Sequence, residues 1–278
     1  MRTIAEIIKE FKEIADHPKK AMEDYKRNGK GAVGIMPVYC PEEIVHAAGY
    51  LPMGMWGTQK KTISKARTYW PPFACSIMQS ITELMAEGVY DDLEAVIFSV
   101  PCDTLKCMSQ KWQGKAPAII FTHPQNRKDA YAVANVFCRE EYAIVKEKLE
   151  NILDVTITTK ALQKSIDIYN ENRRTCREFC DIVTYAGLIK PSERHAVLKA
   201  RWFMEKSNIP RFLKNSMKRF RRNRSRNLRE RESLSQVLWR SHMKCWIFLK
   251  KMVLPLWLMT LLRNPASSVK MFRRMRTH

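Results

Sequence analysis

Between residues 32 and 122, four short apolar runs alternate with stretches of helical periodicity, and this alternation limits the fold more than any other feature of the chain. Ala32–Val38, Leu51–Met55, Glu94–Val100 and Ala116–Thr122 each read as a strand bounded by turn residues. Pro41–Ala48, residues 73 to 87 and residues 104 to 112 read as the intervening helices, the first with Pro in its opening turn. Strands separated by helices predict a parallel α/β sheet. Before it, Ile4, Ile7, Ile8, Phe11, Ile14 and Ala15 recur at helical spacing, predicting one amphipathic helix from residue 3 to about 26 that ends near Gly29 and Gly31. After it, Lys128 to Leu153 and residues 159 to 187, closed by Gly187, read as long helices, and Pro191 and Ser192 open another through Met204. The expected organisation is an N-terminal helix (1–30), an α/β subdomain (31–158), a helical bridge (159–207) and a tail (208–278).

Net charge separates the tail from the rest. Of the formal +21, the stretch from 208 to 278 carries +17, with 19 basic and 2 acidic side chains, and residues 1 to 207 carry +4. The front of the chain therefore lacks the charge of a polyanion binder, and no nucleic-acid partner is expected for it. The tail's Arg219 to Arg231 stretch leaves a nucleic-acid or membrane-surface binder as an alternative. Met252 to Leu262 is apolar but flanked by Lys250, Lys251 and Arg263, short of the roughly 20 residues a bilayer crossing needs, so no membrane span is expected. The charged N-terminus predicts no secretory signal, and eight cysteines then predict reduced thiols in a cytoplasmic protein, some as metal ligands.

The chemistry lies in three segments: GIMPVYCPEEIVHAAGYLPMGMWG from Gly34, FACSIMQS from Phe73, and VIFSVPCDTLKCMSQKW from Val96. Pro41 and Glu43 open a helix running into Ala48 and Gly49. Cys75 precedes a helix in a loop stiffened by Pro71 and Pro72. Cys102, Asp103 and Thr104 follow a strand, with Ser109, Gln110 and Trp112 downstream. In this order the segments resemble subunits of the 2-hydroxyacyl-CoA dehydratases (component D), which are related to benzoyl-CoA reductase subunits. The resemblance spans about residues 1 to 206.

It implies a Rossmann-like α/β subdomain, followed in the family by a second that supplies a further cysteine and is missing here. It also implies a 4Fe-4S cluster held by three cysteines, of which Cys75 and Cys102 are the first two and the third is absent from this chain. Glu43 becomes a candidate active-site carboxylate, against the plain reading of a glutamate favoured by the helix dipole. Implied partners are a second homologous dehydratase subunit, an ATP-dependent iron–sulfur activator protein and an acyl-CoA substrate. No GxxxxGK[ST] pattern occurs, consistent with ATP being handled elsewhere. The implied reaction removes water from an (R)-2-hydroxyacyl-CoA to give a 2-enoyl-CoA. A thioester carbonyl does not directly acidify the β-carbon, and the α-hydroxyl is a poor leaving group; one-electron reduction to a ketyl radical is the family's solution.

Read without the resemblance, Cys75 and Cys102 are single cysteines 27 residues apart, unlike any compact ferredoxin spacing. Cys102 alone follows a strand and precedes a helix, the carboxyl edge where α/β sheets place ligands. Cys40, Cys107 and Cys138 read as core residues. Cys176 and Cys180, four apart on one helix face, read as packing, and Cys245 has no assignable role. His46 reads as a core or capping residue. Trp56, Tyr69, Trp70 and Trp112 read as core packing that could also shield a thioester pocket.

The tail is open to one further reading. Decoded one base upstream, Met217–Lys218 and Met243–Lys244 each force Glu, and Met243 to Thr260 can become a helix, a glycine turn, an apolar strand and an acidic pair. Residues 208 to 278 are thus expected to be a frameshift product without an evolved fold, leaving the enzyme truncated or inactive.

Overall fold

In the computed structural model the described residues are 4–36, 39–57, 62–122, 131–186, 189–214 and 217. All belong to the first of two compact units, Met1–Phe220. The expectations for residues 37 and 38, Lys128, Gly187, Cys245 and the tail beyond Met217 lie outside the described residues.

The N-terminal segment forms two helices where the sequence predicts one, α1 (Ile4–Asp16) and α2 (Pro18–Arg27). Pro18 has no N–H to give and its ring crowds the carbonyl four residues back, so α1 stops and Pro18 takes the first turn of α2. Then follow β1 (Ala32–Ile35), α3 (Glu42–Ala47), β2 (Leu51–Gly54), a 3-10 turn (Lys65–Thr68), α4 (Ser76–Ala86), β3 (Ala95–Ser99), α5 (Asp103–Gln110) and β4 (Ala118–Phe121). After the sheet come two long helices, α6 (Tyr131–Leu153) and α7 (Thr159–Ala186), and the shorter α8 (Pro191–Ala200). The expected strands and crossover helices are all present. α8 ends at Ala200, short of the expected Met204, because the chain turns back to β2, where Gly54 N–H donates to the Trp202 carbonyl at 2.9 Å.

The sheet is parallel throughout, in the order β2-β1-β3-β4. Alternate side chains of each strand face opposite layers. Val96 and Phe98 pack under Met78, Ile81, Leu105 and Met108 of α4 and α5. Ala95, Ile97, Ile119 and Phe121 pack against Val45 of α3 and Val145 and Leu149 of α6. A third cluster joins α1, α7 and α8 through Phe11, Phe179 and Val197.

That cluster includes Ile209, Leu213 and Met217, and residues 208–214 are helical. The packed unit therefore runs past Ser207, where composition changes. Ile209, Leu213 and Met217 are spaced four apart and make one apolar stripe between basic residues, and Phe212 meets Phe11 edge-on at 6.0 Å.

Candidate functional site

The strand order puts a topological switch at β1. The chain leaves β1 through α3 toward β2 and returns through α4 to β3 on the other side of β1. Loops leaving the carboxyl ends of β1 and β3 consequently diverge, and such sheets bind ligands in the crevice between them. Met36 N–H still donates to Ile97 O (2.9 Å), whereas Val100 N–H has turned to Phe121 O (3.1 Å). Cys40 and Glu43 follow β1, and Cys102 follows β3.

Cys102 is the N-cap of α5, with extended backbone (φ −145°, ψ 162°), and Cys75 is the N-cap of α4. Both are exposed, and neither side chain makes a capping hydrogen bond. The helices behind them lie in register. Thr82 Oγ1 sits 3.2 Å from Met108 Sδ, and Gln113 N–H reaches Met85 Sδ at 3.3 Å, offsets of 26 and 28 residues. Each helix leads to the start of the next parallel strand, so both thiols stand at the carboxyl edge of the sheet.

The loop ahead of Cys75 is pinned to α4. Glu83 is 1% exposed and accepts from the backbone N–H groups of Ser64 (3.0 Å), Lys65 (3.2 Å) and Ala66 (2.8 Å) and from the Ser64 hydroxyl (2.8 Å). Burial pushes its carboxyl up, but these donors outweigh it and bring the pKa down to about 2. Trp70 Nε1–H donates to Thr82 Oγ1 at 2.7 Å, and that hydroxyl in turn donates to Met78 O at 2.8 Å. Gln79 Nε2 donates to Ala74 O at 2.7 Å, one residue before the cysteine.

Cys40 is different. Its Sγ donates to Met36 O at 2.9 Å, and burial pushes the thiol up to about 12 despite hydrogen bonds with Ser99, so it stays protonated and is a poor metal ligand. Cys176 is buried, and Cys138 and Cys180 are partly so, as expected of packing residues. Cys107 corrects the sequence reading: it is exposed. Leu105 and Met108 occupy the inner face of α5, and a residue two positions from Leu105 points nearly the opposite way.

Glu43 lines a cleft of about 510 Å³ with Tyr39, Cys40, Tyr142, Arg173 and Trp202. Its carboxylate pairs with Arg173 of α7. Beneath it, Glu42 and Lys206 form an ion pair at 3.0 Å, with side chains 9% and 1% exposed, and the ammonium also lies over the Tyr169 ring. His46 bridges Ser165 Oγ (3.0 Å) and Glu205 Oε1 (3.1 Å), a network role in place of simple packing. The hydrogen bond from His46 holds the Glu205 carboxyl below its usual value. Tyr39 has φ 69°, a left-handed conformation that costs a side-chain-bearing residue about 1 kcal/mol or more. Trp70 is buried, and Trp56, Tyr69 and Trp112 pack against the same core, so the aromatic set is packing first.

The structure thus gathers Cys75 and Cys102 on one rim and sets Glu43 in the crevice beside β1. Among the described residues no group of three or more His, Cys, Asp or Glu could hold a metal ion. Sequence reasoning missed Glu83, Arg173, Lys206 and Glu205. Their partners lie 17 to 180 positions away, and Arg173 next to Arg174 carries no signal beyond surface charge.

These features define an α/β protein with a cysteine-bearing rim at the carboxyl edge of a parallel sheet. Residues 37–253 match the family model described as 2-hydroxyglutaryl-CoA dehydratase, D-component, and the chain belongs to that family. It is 61% identical over 208 residues to lactoyl-CoA dehydratase subunit beta of Anaerotignum propionicum, covering 74% of this chain and 55% of that one. It is 40% identical to the (R)-phenyllactyl-CoA dehydratase beta subunit of Clostridium sporogenes, over 71% of this chain and 53% of the other. It is 39% identical to (R)-2-hydroxyglutaryl-CoA dehydratase, subunit beta, of Acidaminococcus fermentans, over 73% and 54%. The chain spans about half the length of these curated relatives. Among the described residues no helix is long and apolar enough to cross a membrane.

Proposed function

We propose that this chain is the β-type subunit of a 2-hydroxyacyl-CoA dehydratase, acting with a second homologous subunit and an ATP-dependent iron–sulfur activator to remove water from an (R)-2-hydroxyacyl-CoA. The observation that carries this reading is the placing of Cys75 and Cys102 at one exposed rim, at the starts of two adjacent helices. Two such thiols suit two corners of a 4Fe-4S cluster. The described residues offer no third, so they do not hold the cluster by themselves and no step is routed through it. When bound, the cluster would supply one-electron chemistry.

What this chain's own residues do is more limited. Glu43, oriented by Arg173, is the carboxylate available in the crevice to take or return a proton during elimination. Cys40, held as a thiol, and the Tyr39 ring shape the lip of the cleft.

The test is anaerobic purification with iron and sulfide analysis. Bound iron that falls away in Cys75→Ser and Cys102→Ser supports the reading, and equal iron in both variants overturns it. With partner and activator added, Glu43→Gln should lower kcat for lactoyl-, phenyllactyl- or 2-hydroxyglutaryl-CoA while iron content stays constant. Unchanged kcat removes Glu43 from the chemistry.

The break in charge at Ser207 supports a second reading, in which the stretch 208 to 278 is out-of-frame translation and the enzyme is impaired. Burial of Ile209 and Leu213 weighs against that stretch starting at Asn208. Sequencing the gene decides it: stop codons across the upstream frame would remove the idea.

A further inference from the structure

A second cavity, of about 400 Å³, lies on the flank of the edge strand β2. Its walls are Met22, Met53, Met55, Leu84, Leu93 and Phe203. Leu84 stands nine residues along α4 from Cys75, about 13.5 Å at 1.5 Å per residue, and neither Cys75 nor Cys102 lines this cavity. Methionine walls adapt their shape to an apolar guest, and the volume suits a small molecule.

The charge along its lining shows what such a guest carries. Lys19 and Lys199 line the cavity, and neither pairs with an acid among the described residues; the one acidic liner, Asp16, leaves an excess of one positive charge. Trp56 lines it as well, and its indole N–H is buried with no hydrogen-bond partner. That N–H is packed against Gly54, where a Cβ would come within 2.9 Å of it and of Trp202 Cβ, so the ring serves as a reporter in the cavity wall.

We propose that this cavity binds a small monocarboxylate with an apolar body, its chain among the methionines and its carboxylate toward Lys19 and Lys199. The site goes beyond the proposed dehydratase role and uses none of its residues.

The test follows the Trp56 indole resonance in the ¹⁵N-labelled full-length chain, identified by its loss in Trp56→Phe, during titration with octanoate and with octan-1-ol. Octanoate should shift the peak saturably, at least tenfold more tightly than the alcohol. Lys19→Gln/Lys199→Gln should bring octanoate down to the alcohol's affinity and leave the alcohol unchanged. Leu84→Trp, or Val89→Phe where the first does not fold, should fill the cavity and remove both responses. An unmoved peak with both probes, or undiminished binding in both filled variants, overturns the proposal, and equal affinities for acid and alcohol overturn the role of the lysines. Iron content should not follow any of these variants, so failure here and failure of the cysteine rim read out separately.

Discussion

The two sides of the sheet present their chemistry in opposite ways. On the α4 and α5 side, Cys75 and Cys102 stand exposed at helix starts, and the polar groups behind them serve only to fix the loop that carries Cys75. On the α3 and α7 side Glu43 pairs with Arg173 and Glu42 with Lys206, and Glu205 is hydrogen-bonded to His46. The rim leaves its thiols exposed, whereas the crevice wall pairs its two glutamates with cations from distant segments. Buried charges tolerate no missing partner, whereas an exposed thiol costs little until a ligand arrives.

The largest effect should come from the paired side. Lys206→Met leaves Glu42 buried without its cation and should cost about 3–5 kcal/mol in urea unfolding. Adding Glu42→Gln to it should recover much of that loss. A cost under about 1 kcal/mol for the single variant would mean the wall is not a closed charge set.

Alkylation compares the sides directly. In the native chain at pH 8, Cys75, Cys102 and Cys107 should react with iodoacetamide roughly 100-fold faster than Cys40 and Cys176, as read by peptide mass spectrometry. Comparable rates would dissolve the distinction between the exposed thiols and those held back by burial.

Glu83 is the point where the rim depends on a buried charge. Glu83→Gln should cost about 2 kcal/mol, because a carboxylate accepting four hydrogen bonds becomes an amide with two donors facing donors. Its folded pKa is depressed to about 2 from 4.5, so its stabilisation is present in full above pH 4.5 and is lost as pH falls from 4.5 through 2. Acid unfolding should show this loss in the parent chain and not in Glu83→Gln.

The smallest effect is expected for Arg173→Ala. The arginine side chain is 37% exposed, and solvent screening limits the ion pair to about 0.5–1 kcal/mol. A much larger loss would place Arg173 with Lys206 among the buried charges.

How much of this was legible follows from range. Val96 to Ser99 and Ile119 to Phe121 announce strands because the apolar run is local, and α3, α4 and α5 follow from periodicity over a few turns. The break at Pro18 was legible too, from the ring alone, but the apolar repeat across it suggested a single helix. Cys107 could not be assigned without knowing which face of α5 meets β3. His46, on a short helix with no clear outer face, gave no sign of Ser165 or Glu205, respectively 119 and 159 positions away.

The sequence by itself determined a parallel α/β unit, the three segments that identify its family, and the positions of Cys75, Cys102 and Glu43. These rest on short-range periodicity and on motifs of a few residues. Only the tertiary structure decided that β1 lies inside the sheet, that the two cysteines share one edge of it, and that Arg173 and Lys206 pair with the glutamates of the other wall. Strand order and charge pairing depend on which distant segments pack together, and packing is settled by burial over the whole core.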